Sequence, residues 1–205
     1  MKIVIASDIH GSEKYCKQLT AAFRREGADK LALLGDILYH GPRNPLPEDY
    51  APQSVLAELT ALKDRIICVR GNCDAEIDVA LLPFPVSDYA SVTTDGVNIY
   101  FSHGHRAVPP LGENDVYVTG HTHVPLNSGD EVFRHLNPGS VSLPKEDSRR
   151  GYILFDGGKF LFKSLDGEVY DVYAPRKRAD VPAANGTVIR RPSAPLRRKL
   201  VKKRK

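Results

Sequence analysis

The chain has 205 residues, 41% of them hydrophobic, enough to bury one domain core with length left over for a tail. Its three cysteines, Cys16, Cys68 and Cys73, form no C-x-x-C pair, which argues against a disulfide scaffold or structural zinc and for a reducing compartment. The net charge of +4 divides into −7 over residues 1–173, from 17 basic and 24 acidic side chains, and +11 over residues 174–205, from twelve basic side chains and Asp180. The apolar run after Lys2 is too short for a secretory signal, and no stretch of about 18 apolar residues reads as a membrane span. A soluble, cytoplasmic protein without a membrane partner is expected.

In chain order, KIVIAS reads as a short strand that ends in DIHG. SEKYCKQLTAAFRREG then places Tyr15, Leu19, Ala22 and Phe23 on one helical face, with Gly27 as its C-terminal cap. KLALLGD is a second apolar strand, followed by a loop punctuated by Gly41, Pro42, Pro45 and Pro47. A second helix starts near Pro52, with Val55, Leu56, Leu59 and Leu62 at helical spacing, and RIICV is the third strand. This β-α-β-α-β order, with unalternated apolar strands, implies a sheet covered on both faces. Beyond residue 85 the pattern is mostly β. SVTTDGVNIYFSHG forms a hairpin turning at Asp95-Gly96; DVYVTGH, EVFRHLN, GYILFDGGKFLFKS and EVYDVY add strands, with a second hairpin turn at DGGK. The expected class is α/β (α+β): a two-sheet β-sandwich, partly parallel, flanked by helices. Residues 174–205 hold four prolines and no aromatics and read as a disordered basic tail, which sets the domain boundary near Tyr173.

Five of these predicted strands end in polar groups: Asp8-x-His10, Gly35-Asp36, Gly71-Asn72, His103-Gly104-His105 and Gly120-His121-Thr122-His123. Ligands of α/β sheets collect beyond the carboxyl ends of strands. The two-residue spacing of His121 and His123, shared by Asp8 and His10, would put both side chains of an extended segment on one face. Carboxylate, imidazole and amide oxygen suit Mn, Fe, Zn, Co or Ni, while the lack of paired thiolates argues against an iron–sulfur cluster. Seven candidate ligands are too many for one tetrahedral ion. They match two ions that share a carboxylate, as in hydrolases whose two metals lie about 3.5–4 Å apart.

The blocks SDIHG, GD, GN, HG and GHTH, in this order, resemble those of the calcineurin-like metallophosphoesterases. GDILYHGPRN, RGNCD, GHTHVP and NPGSVSLPK resemble more particularly the small bacterial YfcE-type phosphodiesterases, over residues 1 to about 173. The resemblance implies a four-layer α/β/β/α architecture and hydrolysis of phosphodiesters with two divalent metal ions. Manganese is the first expectation, with Fe, Zn, Ni or Co as alternatives. Asp8, His10 and His123 would hold one metal, Asn72, His103 and His121 the other, and Asp36 would bridge them. Asp36, Asn72 and His103 would form the catalytic centre, around a bridging hydroxide that attacks phosphorus in line. Two dications, Asp8, Asp36 and hydroxide sum to about +1, which would attract a phosphate ester.

Several other residues carry two readings. His40 and Arg43 either contact the substrate phosphate or shape the loop after Asp36. His105 is an auxiliary acid or an exposed histidine, and His135 is structural. Asn137-Pro138-Gly139-Ser140 reads as a turn from which Asn137 or Ser140 could line the site. Asp74 should cap or orient the helix that follows it. Cys68 reads as a buried small hydrophobe. Cys73 stands where many members of the family have a histidine that protonates the leaving oxygen; a thiol is a weak donor with an ordinary pKa of about 8.5. The expected partner is a phosphodiester, with weak non-specific nucleic-acid attraction through the tail and homo-oligomerisation left open. The rival functions are a protein-assembly scaffold on the same fold and a nuclease-like activity recruited by the tail.

Overall fold

The structure, a computed structural model, describes residues 1–112, 115–129 and 133–175. The expected basic tail, beyond its first two residues, lies outside the described residues. Strand β1 (Ile3–Ala6) leads to helix α1 (Glu13–Arg25), β2 (Lys30–Leu33), α2 (Pro52–Thr60), β3 (Ile66–Val69), α3 (Glu76–Leu81) and the short β4 (Val86–Ser87). Strands β5 (Ala90–Thr94), β6 (Val97–Phe101), β7 (Asp115–Val118), β8 (Pro125–Gly129) and β9 (Phe133–Pro138) follow. The described chain finishes with β10 (Gly151–Asp156), β11 (Lys159–Ser164) and β12 (Val169–Tyr173).

Two mixed sheets result. The seven-stranded sheet runs β12-β11-β10-β1-β2-β3-β4, with β1 to β4 parallel and the β10–β12 meander added antiparallel at β1. The five-stranded sheet runs β5-β6-β7-β9-β8, parallel only at β6-β7 and β7-β9. The strand period of two explains why β1 is apolar throughout. Ile3 and Ile5 point between the sheets with Ile99, Phe101, Val116 and Phe155, while Val4 and Ala6 join Leu19, Phe23, Val55 and Leu59 beneath α1 and α2. A strand packed on both faces has no polar side to show, so alternation vanishes from its sequence.

Local signals act as expected. Ser12 caps α1 by accepting from the Tyr15 N–H, and Gly27 follows its end at φ 59°. Asp95-Gly96 and Gly157-Gly158 are two-residue turns with positive φ throughout, the type I′ geometry that matches strand twist. The helices among the described residues all belong to the first half of the chain. The two-sheet sandwich flanked by helices is as expected.

Phe155 is fully buried between the sheets, its ring 4.8 Å from that of Phe160. Phe155→Ala should therefore lower unfolding free energy by about 3–5 kcal/mol, seen as a lower denaturant midpoint. Val172→Ala, at an exposed position of β12, should change it by less than about 0.5 kcal/mol. Equal effects would contradict this core assignment.

Candidate metal centre

All seven candidate ligands stand on loops at the carboxyl ends of strands: Asp8 and His10 after β1, Asp36 after β2, Asn72 after β3, His103 after β6, His121 and His123 after β7. Asp8, His10, Asp36, His103 and His123 are buried, while His121 is half-buried and Asn72 exposed. Five of them have left-handed backbones: Asp8 (φ 59°), His10 (51°), Asp36 (54°), His121 (70°) and His123 (64°). Such a conformation costs an L-residue about 1–3 kcal/mol and persists only where the surroundings enforce it. It also corrects the same-face expectation, since neither pair is extended. The His123 ring lies 5.0 Å from that of His10, whereas the His121 ring lies 5.1 Å from that of His103. His121 and His123 thus pack on different histidines, while Asp8 and His10 stay together.

The enforcement is visible around β2 and β3. A Cβ on Gly35 would come within 2.4 Å of the Gly71 nitrogen, and one on Gly71 within 2.1 Å of Asp36 Oδ1. Only glycine at both positions lets these two strand ends close on each other. Asp74 then ties them, accepting from the backbone N–H groups of Asp36 (2.9 Å), Ile37 (2.8 Å) and Gly71 (2.7 Å). Its expected role at the next helix is not observed: α3 begins after Ala75 with no side-chain cap. Ser140 and Ser142 donate to the Asp8 carbonyl, and Asn137 donates to the Gly120 carbonyl and Thr122 Oγ1. Asn137 and Ser140 therefore brace the ligand loops. His135 is structural, bonded to Thr119 and stacked on Tyr117.

Three histidines are fixed by backbone carbonyls. His10 Nδ1 donates to Tyr39 O (2.9 Å), His103 Nδ1 to Leu34 O (2.6 Å) and His123 Nδ1 to Leu143 O (2.6 Å). A carbonyl can only accept, so each Nδ1 carries its hydrogen and each neutral ring presents a bare Nε2 lone pair. The Nε2 atoms of His10 and His123 face each other at 3.2 Å, and that of His103 faces Asn72 Oδ1 at 3.0 Å. Asp8 Oδ1, buried with no hydrogen-bond partner, lies 3.3 Å from His123 Nε2 and 3.6 Å from His10 Nε2. Asp36 Oδ2 stands between the clusters, 3.7 Å from His10 Nε2 and 3.4 Å from His103 Nε2.

Acceptors converging with no hydrogen between them form a set that could hold a cation. Donors about 2.1 Å from one ion sit about 3.0–3.4 Å apart, so the spacings fit a borderline divalent metal held by nitrogen and oxygen. Without an ion, the carboxylates draw protons to the same rings. Burial disfavours the charge on His103, but Asp36 and Asp8 outweigh it and push this histidine up to about 9. Burial opposes ionisation of Asp8 as well, yet His10, His123 and His103 together hold its carboxyl well below the usual range.

An open cleft of about 690 Å³ reaches this centre and is lined by Asp36, Asn72, His121 and His123 together with Arg43, Cys73 and Lys145. His40 does not line it; its ring packs between Tyr39 and Tyr50, so it shapes the loop. His105 stands outside the cleft lining, its ring 5.4 Å from that of His103. Cys73 N–H donates to Asp36 Oδ1 at 2.8 Å, and burial followed by the Asp36 charge pushes its thiol up to about 12. Lys145 has no signal in the sequence, because a lysine after a proline carries no pattern until the loop is folded.

This sheet order, with candidate ligands on loops at five strand ends, is that of a metallophosphoesterase-type fold. The model of the calcineurin-like phosphoesterase superfamily domain matches residues 1–159, and the chain belongs to that superfamily. Within it, the chain is 44% identical over 162 residues to phosphodiesterase YfcE of Escherichia coli K12, covering 76% of this chain and 88% of that protein. The solved structure of Yfce, a phosphoesterase from E. coli, superposes with a TM-score of 0.82 at 40% identity, over 86% of this chain and all of that one. An archaeal phosphodiesterase at 21% identity shares the fold, with a TM-score of 0.58 over 84% of this chain and 100% of its own. No helix among the described residues is long and apolar enough to cross a membrane.

A saturating divalent cation, at about a hundred times its Kd, should stabilise the chain by about 2.7 kcal/mol, raising the thermal midpoint by about 5–11 °C. Asp8→Asn should remove most of that rise. Asp74→Ala should shrink it without touching a ligand. A midpoint indifferent to Mn, Co and Zn ions would contradict the metal assignment.

Proposed function

We propose that the chain is a dinuclear-metal-dependent phosphodiesterase. Asp8, His10 and His123 hold one divalent ion, Asn72, His103 and His121 hold the other, and Asp36 is shared. The observation that carries this reading is the convergence of uncapped Nε2 and carboxylate lone pairs into two adjacent clusters with Asp36 Oδ2 between them. When bound, the two cations supply Lewis-acid charge and an activated water for in-line attack on phosphorus, and manganese is the metal we assign first. The similarity to phosphodiesterase YfcE supports diester substrates.

The chain's own residues do the rest. Tyr39, Leu34 and Leu143 carbonyls hold three imidazoles so that their lone pairs are preorganised, sparing reorganisation during the reaction. Asn72 offers an uncharged oxygen, so only Asp8 and Asp36 offset the cation charge and the centre stays attractive to phosphate. Cys73 offers a thiol, a weak hydrogen-bond donor, and the nucleophile's role is already filled by the activated water. The thiol leaves the cleft without a strong proton donor beside Asn72, which favours esters with good leaving groups, as diesters of acidic alcohols are.

Hydrolysis of bis(p-nitrophenyl) phosphate by the metal-loaded full chain tests the reading. Turnover should vanish on chelation and fall by at least about 10²-fold in Asp36→Asn and His121→Ala. Normal turnover in either variant would sink it, and a metal-loaded chain inert to a broad ester panel would favour the scaffold. Cys73→His, by restoring a donor, should raise turnover of an alkyl phosphate monoester, whose alkoxide needs a proton to leave, by about tenfold or more.

A further inference from the structure

The metal centre leaves two cations of the cleft without a partner. Arg43 and Lys145 both line it, and neither makes an ion pair or side-chain hydrogen bond among the described residues. Most other basic side chains there are engaged, as Lys14 with Glu48, Lys17 with Glu13, Arg24 with Glu58, Arg106 with Asp88 and Lys163 with Glu26. Asp36 is the one carboxylate in the lining, and it already faces His10 and His103.

Both cations sit on segments fastened to metal ligands. Arg43 follows Asp36 on a loop whose Tyr39 carbonyl holds His10, whose Asn44 side chain bonds the His40 carbonyl, and whose Gly41 abuts Cys73. Lys145 is tied through its own N–H to the His123 carbonyl, which also accepts from Ser148 Oγ. Their backbones are therefore set relative to the reacting centre. A simple phosphodiester carries one negative charge, and the metal centre already matches it. A planar guanidinium and an ammonium beyond that centre suit a further phosphate, by a bidentate fork and a point charge.

We propose that the cleft selects phosphodiesters in which one ester arm bears a second phosphoryl group, bound by Arg43 and Lys145. This rests on the phosphodiesterase reading above. In the reaction water adds to the scissile phosphorus, one P–O ester bond breaks and the departing oxygen takes a proton; the second phosphate is a handle and is unchanged.

The test compares two chromogenic diesters on the metal-loaded full chain: the p-nitrophenyl ester of thymidine 5′-phosphate, and the same ester carrying a 3′-phosphate. The 3′-phosphorylated ester should have a kcat/KM at least about tenfold higher, mostly through KM, the size expected of charge-assisted hydrogen bonds. Lys145→Gln should reduce that preference, Arg43→Gln/Lys145→Gln should abolish it, and Lys145→Glu should invert it. Calorimetric binding of thymidine 3′,5′-bisphosphate against thymidine 5′-monophosphate reads the same preference without turnover. Equal hydrolysis and equal binding overturn the inference while the phosphodiesterase reading stands. A preference that survives in the double variant overturns it too. Tighter bisphosphate binding that is lost in the double variant, with no hydrolysis of either ester, upholds the cleft and removes the phosphodiesterase reading instead.

Discussion

Three imidazoles whose Nδ1 hydrogens are spent on backbone carbonyls must aim bare Nε2 lone pairs at one another, at two carboxylates and at an amide oxygen. That set of acceptors is one that a bound cation would satisfy. The rest of the strand-end architecture serves to keep these acceptors close despite their mutual repulsion. Left-handed backbones at five candidate ligands, the Gly35–Gly71 approach and the three N–H bonds to Asp74 accompany this crowding. In functional terms, local strain at the ligands is balanced by the rigid sheets behind them.

The sheets provide that rigidity through their double packing. Ile3 and Ile5 engage the inter-sheet core while Val4 and Ala6 engage the helices, so the end of β1 cannot shift without disturbing both cores. The same holds for β2 and the residue after it, where Ala32 and Leu34 face one way and Leu31 and Leu33 the other. Asp8 and Asp36 leave from these two strands. Parallel pairing brings their ends side by side, and the Asp8 N–H reaches the Gly35 carbonyl at 3.1 Å.

Much of this was legible in the residues. The apolar runs of β1 to β3, the face of α1 and the two Gly-containing hairpin turns each follow from a local rule that the fold does not override. The ligand set was legible because Asp, His and Asn recur beside glycine at strand ends and because the blocks resemble a known family. What was misread depended on backbone state. His121 and His123 were assigned one face on the assumption of extended chain, and left-handed φ values separate them. A carboxylate before a helix is a common cap, which is what Asp74 suggests in sequence, whereas its real partners lie 37 and 38 positions upstream and at Gly71. The carbonyl partners of the histidines and the place of Lys145 in the cleft are tertiary facts without a sequence signature.

The central claim is that two cations, sharing Asp36, complete this centre. Metal content of the full chain, measured by elemental analysis after equilibration with manganese and gel filtration, tests it most directly. The account predicts about two equivalents per chain, falling to about one in His10→Ala, where the cluster with Asn72 and His103 is intact. One equivalent in the unaltered chain, or an unchanged two in His10→Ala, would contradict it.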